Sequence, residues 1–459
     1  MMRASEAAIA LDAGFVGEDV VFSNVGSDSR HVTAGQLFVA LKGERFDGNA
    51  YATEAIRQGA VAVLLSDTSQ KVTPRIEVQD TRLALGTLAK YWRGKFATPV
   101  VAITGSNGKT TTKEMLASIL AVAAGDKARV HATIGNLNND IGLPLTLLQL
   151  RAEHAYTVLE MGMNHLGEID YLTHIARPDV AVINNAGIAH LGELGSRENI
   201  AKAKGEIFSG LAKGGVAVIN ADSEYADYWQ SLNAHRKVVT FSLKKDADIY
   251  ARYQAIDDGA MVDLHTPEGQ VSFKLRVPGE HNVSNALAAC GAAYALGIPN
   301  QDIADGLTEY AGVYGRLEHK PGLNGALIID DTYNANPDSM KVAIEVLARM
   351  EAGKKILVLG DMGELGADAK AMHAEIGGYA KAAGLNTLYC LGELSAGVVT
   401  GFGSGARHFD TVEALAEQVV SALSKDTVVL VKGSRFMQME HVVKLLQTKD
   451  KKTVHGEKQ

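Results

Sequence analysis

The stretch Val100-Val-Ala-Ile-Thr-Gly-Ser-Asn-Gly-Lys-Thr-Thr111 decides the fold. Its first five residues read as a short buried strand, Gly105 to Gly108 as a tight loop, and Lys109-Thr110 as the start of a helix. That order turns successive backbone N–H groups and a helix N-terminus toward one point, where a triphosphate's charge is best met. Lys109 would reach the outer phosphates, and Thr110 would offer its hydroxyl to Mg²⁺. The match to G-x-x-x-x-G-K-[ST] departs at its first glycine, which is Ile103 here, so a tighter loop is expected. A glycine turn carrying a chance GKT is the bland alternative. The loop alone does not separate a ligase from a kinase, a switch or a motor.

Around this loop the same alternation recurs: apolar run, glycine turn, helical stretch. YTVLEMG, DVAVINNAG and GGVAVIN follow within the next 120 or so residues, and ALIIDDT, KILVLGDM, TLYCLGE and TVVLVKGS form a later set. Short β-branched runs alternating with helices predict doubly wound, mainly parallel α/β sheets covered on both faces. Residues 1–97 read as a smaller α/β unit whose last helix, Arg82 to Phe96, stops before Thr98-Pro99. The chain of 459 residues is therefore expected to form three domains, at 1–97, 98–314 and 315–459. Apolar residues make up 46% and charged residues 21%, which excludes wholesale disorder; 47 glycines against 9 prolines favour tight turns over stiff linkers. The net charge of −8 and a pI near 6.0 offer no general attraction for nucleic acid or an anionic membrane. No apolar run makes a good leader or membrane span, and Cys290 and Cys390 have no metal-ligand spacing, so a cytoplasmic enzyme is expected. Lys444 to Gln459 reads as a solvated tail.

The shortened loop G-x-N-G-K-T-T resembles that of the Mur ligase and folylpolyglutamate synthetase superfamily, whose members form amide bonds with ATP. Further matches follow in order: Asn136-Leu-Asn-Asn-Asp-Ile-Gly-Leu-Pro144, Leu159-Glu-Met-Gly162, the His190 segment, Ala203-Lys-Gly-Glu206, Glu280-His-Asn-Val-Ser-Asn285, Gly315-Arg-Leu-Glu318, and Asp330-Asp-Thr-Tyr-Asn-Ala-Asn-Pro337. The opening Ser27-Asp-Ser-Arg30 with LFVALKGERFDG at 37–48 resembles the UDP-binding domain of the branches that add the third residue and the terminal dipeptide. The resemblance implies a Rossmann-like last domain. No D-N-P-R type motif, which reads a diamino acid, occurs between 380 and 420, whereas Tyr333-Asn-Ala-Asn-Pro337 and Leu359-Gly-Asp-Met-Gly-Glu-Leu-Gly366 resemble the dipeptide-adding branch. Where relatives often carry a histidine, this chain has Asn49, which puts in doubt a role for that position at the uridine end. The implied reaction joins D-Ala-D-Ala to UDP-N-acetylmuramoyl-tripeptide through an acyl phosphate. A third-residue ligase, a folate-type ligase and a non-catalytic nucleotide-binding module are the alternatives.

The resemblance also implies residue roles. Gly105, Ser106, Asn107, Gly108, Lys109, Thr110 and Thr111 would bind ATP, with Asn282 and Asn285 at its adenine, Arg316 on its phosphates and Asp331 near its ribose. N-capping of an Ala-rich helix is an alternative for the two asparagines. Two Mg²⁺ ions are implied, held by Thr110, Glu160, His190 and Lys204. An ammonium beside a metal would be repelled, and Lys204 is the position carbamylated in several relatives, with Lys202 as a possible confusion. Ser29, Arg30, Lys42, Gly43, Asn136, Asn138 and Asn139 would hold the UDP-linked substrate; Tyr333, Asn334, Asn336, Lys432, Ser434 and Arg435 would hold the dipeptide. Lys109, Glu160, His190 and Lys204 are the implied catalytic set, and the chain is expected to act as a monomer.

Overall fold

A computed structural model describes residues 1–43, 46–188, 191–256 and 258–448. Three sheets carry the architecture, with a two-stranded ribbon pairing Met2–Arg3 with Val21–Phe22.

The first sheet contains β1 (Gly14–Val16), β2 (Asn24–Gly26), β3 (Gln36–Val39), β4 (Ala60–Leu65) and β5 (Arg75–Glu77), in the order β1-β5-β4-β3-β2. Only β1 is antiparallel to its neighbour. Helix α1 (Thr81–Arg93) follows, capped by Asp80, whose carboxylate accepts from Arg82 N and Leu83 N. Its apolar face does not stay with the first sheet alone. Leu85, Leu88 and Trp92 join one continuous core with Leu37 and Leu64 on one side and Leu143, Leu147 and Leu172 on the other. At Gly86 a side chain would strike Tyr171 Oη at 2.0 Å, so glycine is what lets α1 approach so closely. The first unit is thus packed onto the second rather than tethered to it.

The second sheet has nine strands: β6 (Val100–Thr104), β7 (Val130–Ala132), β8 (Tyr156–Glu160), β9 (Val180–Ile183), β10 (Val216–Asn220), β11 (Val238–Ser242), β12 (Ile249–Ile256), β13 (Gly259–Thr266) and β14 (Gly269–Leu275). Their order is β14-β13-β12-β11-β10-β9-β6-β8-β7, parallel from β7 through β12 and antiparallel for the last two pairings. Alternation splits β6 between two cores: Val100 and Ala102 face the α1 side, while Val101 and Ile103 face the other. On that second face lie α2 (Lys109–Ala124) and α3 (Glu280–Ala295). Ala286, Ala288, Ala289, Ala292 and Ala293 of α3 are fully buried, their small side chains allowing close contact with the sheet.

The third sheet, β15 (Glu318–Pro321), β16 (Leu327–Asp331), β17 (Lys354–Gly360), β18 (Leu388–Leu391), β19 (Ala406–Phe409) and β20 (Thr427–Lys432), has the order β15-β16-β20-β17-β18-β19. Only β15 is antiparallel. Separate apolar clusters cover its two faces. The carboxyl ends of the second and third sheets turn toward one cleft, the place where parallel sheets bind ligands.

Candidate active site

The cleft encloses about 880 Å³ and is lined by the loop between β6 and α2, the strand ends at Glu160 and Asn185, the first turn of α3, and the loops after β16 and β20. The loop is held from outside. Ser106 N donates to Asn185 O (3.1 Å), Asn107 N to Asn185 Oδ1 (2.9 Å), and Ser106 Oγ to Gly187 O (2.9 Å). Gly108 has φ +79°, and a side chain there would sit 2.1 Å from Asn285 Oδ1. Glycine at this position answers both backbone conformation and space.

Lys109 Nζ donates to Gly105 O at 2.7 Å. Burial pulls its pKa below the usual lysine value, while the Glu160 carboxylate works against that. Thr110 Oγ1 donates to Glu160 Oε2 (2.7 Å) and accepts from Arg316 Nη2 (2.9 Å), so one hydroxyl joins the second and third sheets' loops. Glu160 is buried, not a solvated loop carboxylate; its Oε1 accepts from Asn138 Nδ2 (2.8 Å) and its backbone N donates to Thr133 Oγ1 (3.0 Å). The Arg316 guanidinium lies 4.2 Å over the Tyr333 ring, and its Nε is buried without a hydrogen-bond partner. An orphaned guanidinium N–H beside a triphosphate-type loop fits an anionic oxygen.

Asn282 and Asn285 lie together behind the loop, both buried. Neither caps α3, which begins at Glu280 after an N-cap Gly279 without a side-chain bond. Asn282 Nδ2 instead donates to Pro278 O (2.7 Å), and Asn285 Oδ1 accepts from Asn184 Nδ2 (3.2 Å). Thr111 lines the cleft beside them. From the third sheet, Asp331 Oδ2 pairs with Lys432 Nζ (2.7 Å), and Lys432 also donates to Asn334 O (2.8 Å). Burial raises the Asp331 pKa, opposed by Lys432. Asn336 Nδ2 donates to Asn107 Oδ1 (2.8 Å), linking the last sheet to the phosphate loop. Arg435 lines the cleft with its Nη1 on Glu440 Oε1 (2.9 Å), and Ser434 Oγ accepts from Gly363 N (2.7 Å).

Lys204 sits near the end of the helix Arg197–Gly205, buried, whereas Lys202 is exposed. Burial, then the charge of Lys109, hold its pKa well below the ordinary lysine value. His190 lies outside the described residues. Asn136 and Asn139 line the cleft, and Asn139 Oδ1 also accepts from Gly142 N (2.8 Å). The remaining four residues expected to hold the UDP end, Ser29, Arg30, Lys42 and Gly43, do not line the cleft. Arg30 forms a two-pronged bond with Asp28 (2.9 and 2.8 Å), Lys42 lies 3.7 Å from Asp47, and Gly43 N donates to Phe46 O. Asn49 is a buried buckle: its Oδ1 accepts from Ser66 N (3.0 Å) and Asp67 N (3.1 Å).

Oxygen donors from Thr110 and Glu160 suit a hard divalent cation. Among the described residues no group of three or more His, Cys, Asp or Glu is placed to hold a metal ion. Such a cation would draw its remaining ligands from phosphate and water, as Mg²⁺ commonly does.

The residues 21–93, 103–293 and 315–435 match three family models: the Mur ligase family catalytic domain, the Mur ligase middle domain and the Mur ligase glutamate ligase domain. The UDP-N-acetylmuramoyl-tripeptide–D-alanyl-D-alanine ligase of Escherichia coli is 43% identical over 95% of this chain and 96% of its own.

The chain belongs to the Mur ligase family.

Solved Mur ligases agree in three dimensions. MurF from Acinetobacter baumannii superposes with a TM-score of 0.89 at 35% identity, covering 97% of this chain and 98% of that one. MurF from Thermotoga maritima in complex with ADP gives 0.81 at 32% identity over 94% and 98%. Asn185, His281, Asp338 and Glu364 also line the cleft, with Asn184 behind it on Asn285, and none of them was marked by the sequence pattern. Asn184-Asn185 stood at a strand's carboxyl end, and His281 and Glu364 lay inside motifs already in view. His281 lines the cleft, and burial, with Lys432 adding to it, pushes its pKa down to about 4.

Proposed function

We propose that this Mur ligase joins D-Ala-D-Ala to UDP-N-acetylmuramoyl-tripeptide with ATP, through an acyl phosphate, as a cytoplasmic monomer in peptidoglycan precursor synthesis. The observation that carries the reading is the single cleft in which phosphate-loop, Glu160 and Arg316 side chains meet the Asn334–Asn336 and Lys432–Arg435 loops. Residues 98–314 would bind ATP, 315–459 the dipeptide and 1–97 the UDP end.

A carboxylate resists attack because its leaving group would be oxide. Transfer of the γ-phosphoryl to a carboxylate oxygen makes phosphate the leaving group; attack by the dipeptide nitrogen then forms the amide and releases phosphate and a proton. The demand on the protein is positioning and charge neutralisation. Lys109, the loop N–H groups and Arg316 meet the transferring phosphoryl. Asn282 and Asn285 would face the adenine, and Asp331 the ribose. Thr110, Glu160 and the Lys204 carbamate, with His190, would hold Mg²⁺, which supplies further neutralisation of phosphate charge when bound. Lys204 suits carbamylation because its burial favours the neutral amine, the form that adds CO₂ while losing one proton. Lys432, Ser434 and Arg435, with Tyr333, Asn334 and Asn336, would hold the dipeptide.

The test is ADP release with each amine acceptor in turn. Release that requires both the tripeptide nucleotide and D-Ala-D-Ala is expected; equal stimulation by a diamino acid rejects the reading.

A further inference from the structure

The segment Leu359 to Gly366 leaves β17, and no chemical role has yet been given to its Glu364. Five hydrogen bonds hold it in place. His373 Nε2 accepts from Met362 N (2.9 Å), Gly363 N donates to Ser434 Oγ (2.7 Å), Asp361 O accepts from Ser434 N (3.0 Å), and the Asp361 carboxylate takes the backbone N–H of Ser395 (2.7 Å) and Leu394 (3.2 Å). Met362 and Leu365 on either side are buried. Between them Glu364 is exposed to the cleft, with φ +62°, a left-handed conformation that is costly for a glutamate. Its backbone O accepts from Gly192 N (3.1 Å) on the second unit. Its negative charge reaches Lys109, supporting that ammonium.

Position in the sheet gives this carboxylate a direction. β17 and β20 are paired, and their carboxyl ends carry the Glu364 loop and the Lys432–Arg435 turn side by side, joined by the Gly363–Ser434 bond. The two loops thus offer one anion toward the phosphate loop and cations beside it. A zwitterion of two residues carries an ammonium at one end and a carboxylate at the other, about 7 Å of chain apart. An α-amino group, with a pKa of roughly 8, is mostly protonated at about pH 7, so it arrives as a cation.

We infer that the Glu364 carboxylate is the receptor for the ammonium of the incoming dipeptide, fixing its nitrogen beside the phosphate loop while the 432–435 turn takes its carboxylate. This rests on the proposed ligation of an amine acceptor. A strained backbone held by five hydrogen bonds then serves to aim one charge.

Initial rates are measured for the full chain and for Glu364→Gln, Glu364→Asp and Asp368→Asn, each checked by thermal melting, varying ATP, nucleotide and D-Ala-D-Ala in turn. Propionyl-D-alanine, the dipeptide without its amine, serves as a competitive inhibitor. Glu364→Gln is expected to raise the KM for D-Ala-D-Ala roughly tenfold or more, a charged hydrogen bond's worth, with the other two KM values within about twofold. The propionyl-D-alanine inhibition constant should hardly move, and Glu364→Asp should recover part of the loss. An unchanged dipeptide KM overturns the inference, as does an equal loss of propionyl-D-alanine affinity, which marks a merely supporting loop, or the same effect from Asp368→Asn. If the unaltered chain does not consume D-Ala-D-Ala, the proposed function itself fails, which is a separate result.

Discussion

At the residue scale, half-buried Lys109 and buried Lys204 both carry amines with depressed pKa values, yet their surroundings differ. Lys109 has the Glu160 charge near it; Lys204 instead feels the like charge of Lys109. Lys109→Ala is expected to lower turnover roughly 100-fold or more, since it removes a cation aimed at the transferring phosphoryl. Its melting temperature should stay close to the parent's, measured by calorimetry beside the assay. For Lys204, ¹³C NMR in ¹³C-bicarbonate should show a carbamate signal that Lys204→Ala lacks. His281 provides a pH test. Its folded pKa of about 4 lies below the ordinary histidine value of 6.5, so between those limits the unfolded chain binds the extra proton. Acidification from pH 6.5 toward 4 therefore favours unfolding, and below 4 this contribution stops changing. Thermal melts across that window should fall less for His281→Gln than for the parent.

At the element scale, the loop between β6 and α2 is built around left-handed Gly108 pressed against Asn285 of α3. Gly108→Ala places a methyl 2.1 Å from Asn285 Oδ1 and also strains the backbone. A loss of about 1–3 kcal/mol in chemical denaturation is expected, with weaker nucleotide binding by titration calorimetry. The strand-loop-helix order around residues 100–111 was legible because a buried run, two glycines and a helix start each have a local cause. β12 to β14 were not read in advance. Tyr250, Arg252, Asp263 and Lys274 on them mix with apolar residues, as an antiparallel ribbon with one wet face requires, so they lack the continuous apolar signal of β6 or β9. The capping alternative for Asn282 and Asn285 failed for a related reason: spacing placed them near a helix start, but only packing shows them turned toward Pro278 and Asn184.

On the scale of the whole molecule, the second and third units meet through few polar ties among the described residues: Glu364 O accepting from Gly192 N, Arg316 to Thr110, Asn336 to Asn107, and Asp338 Oδ2 accepting from Ile188 N at 2.7 Å. Removing the last two by Asn336→Ala with Asp338→Ala should loosen that closure. A larger radius of gyration by X-ray scattering is expected, together with a higher KM for ATP; an unchanged radius would show that apolar contact alone holds the units. Among the described residues no helix is long and apolar enough to cross a membrane.

Local chemistry determined much of this protein by itself: the phosphate loop and the parallel strands follow from short-range rules of burial, turn geometry and charge, while the ordered motifs carried a family resemblance. Tertiary structure decided which of these converge. Arg316 and Thr110 stand 206 positions apart, and Asn336 and Asn107 stand 229 apart, yet each pair is hydrogen-bonded. Folding also buried Lys204 while leaving Lys202 in water, and it spent Asn49 on a buckle between turns. Such outcomes depend on the free energy of closing long loops around packed sheets, a quantity no local stretch of residues contains.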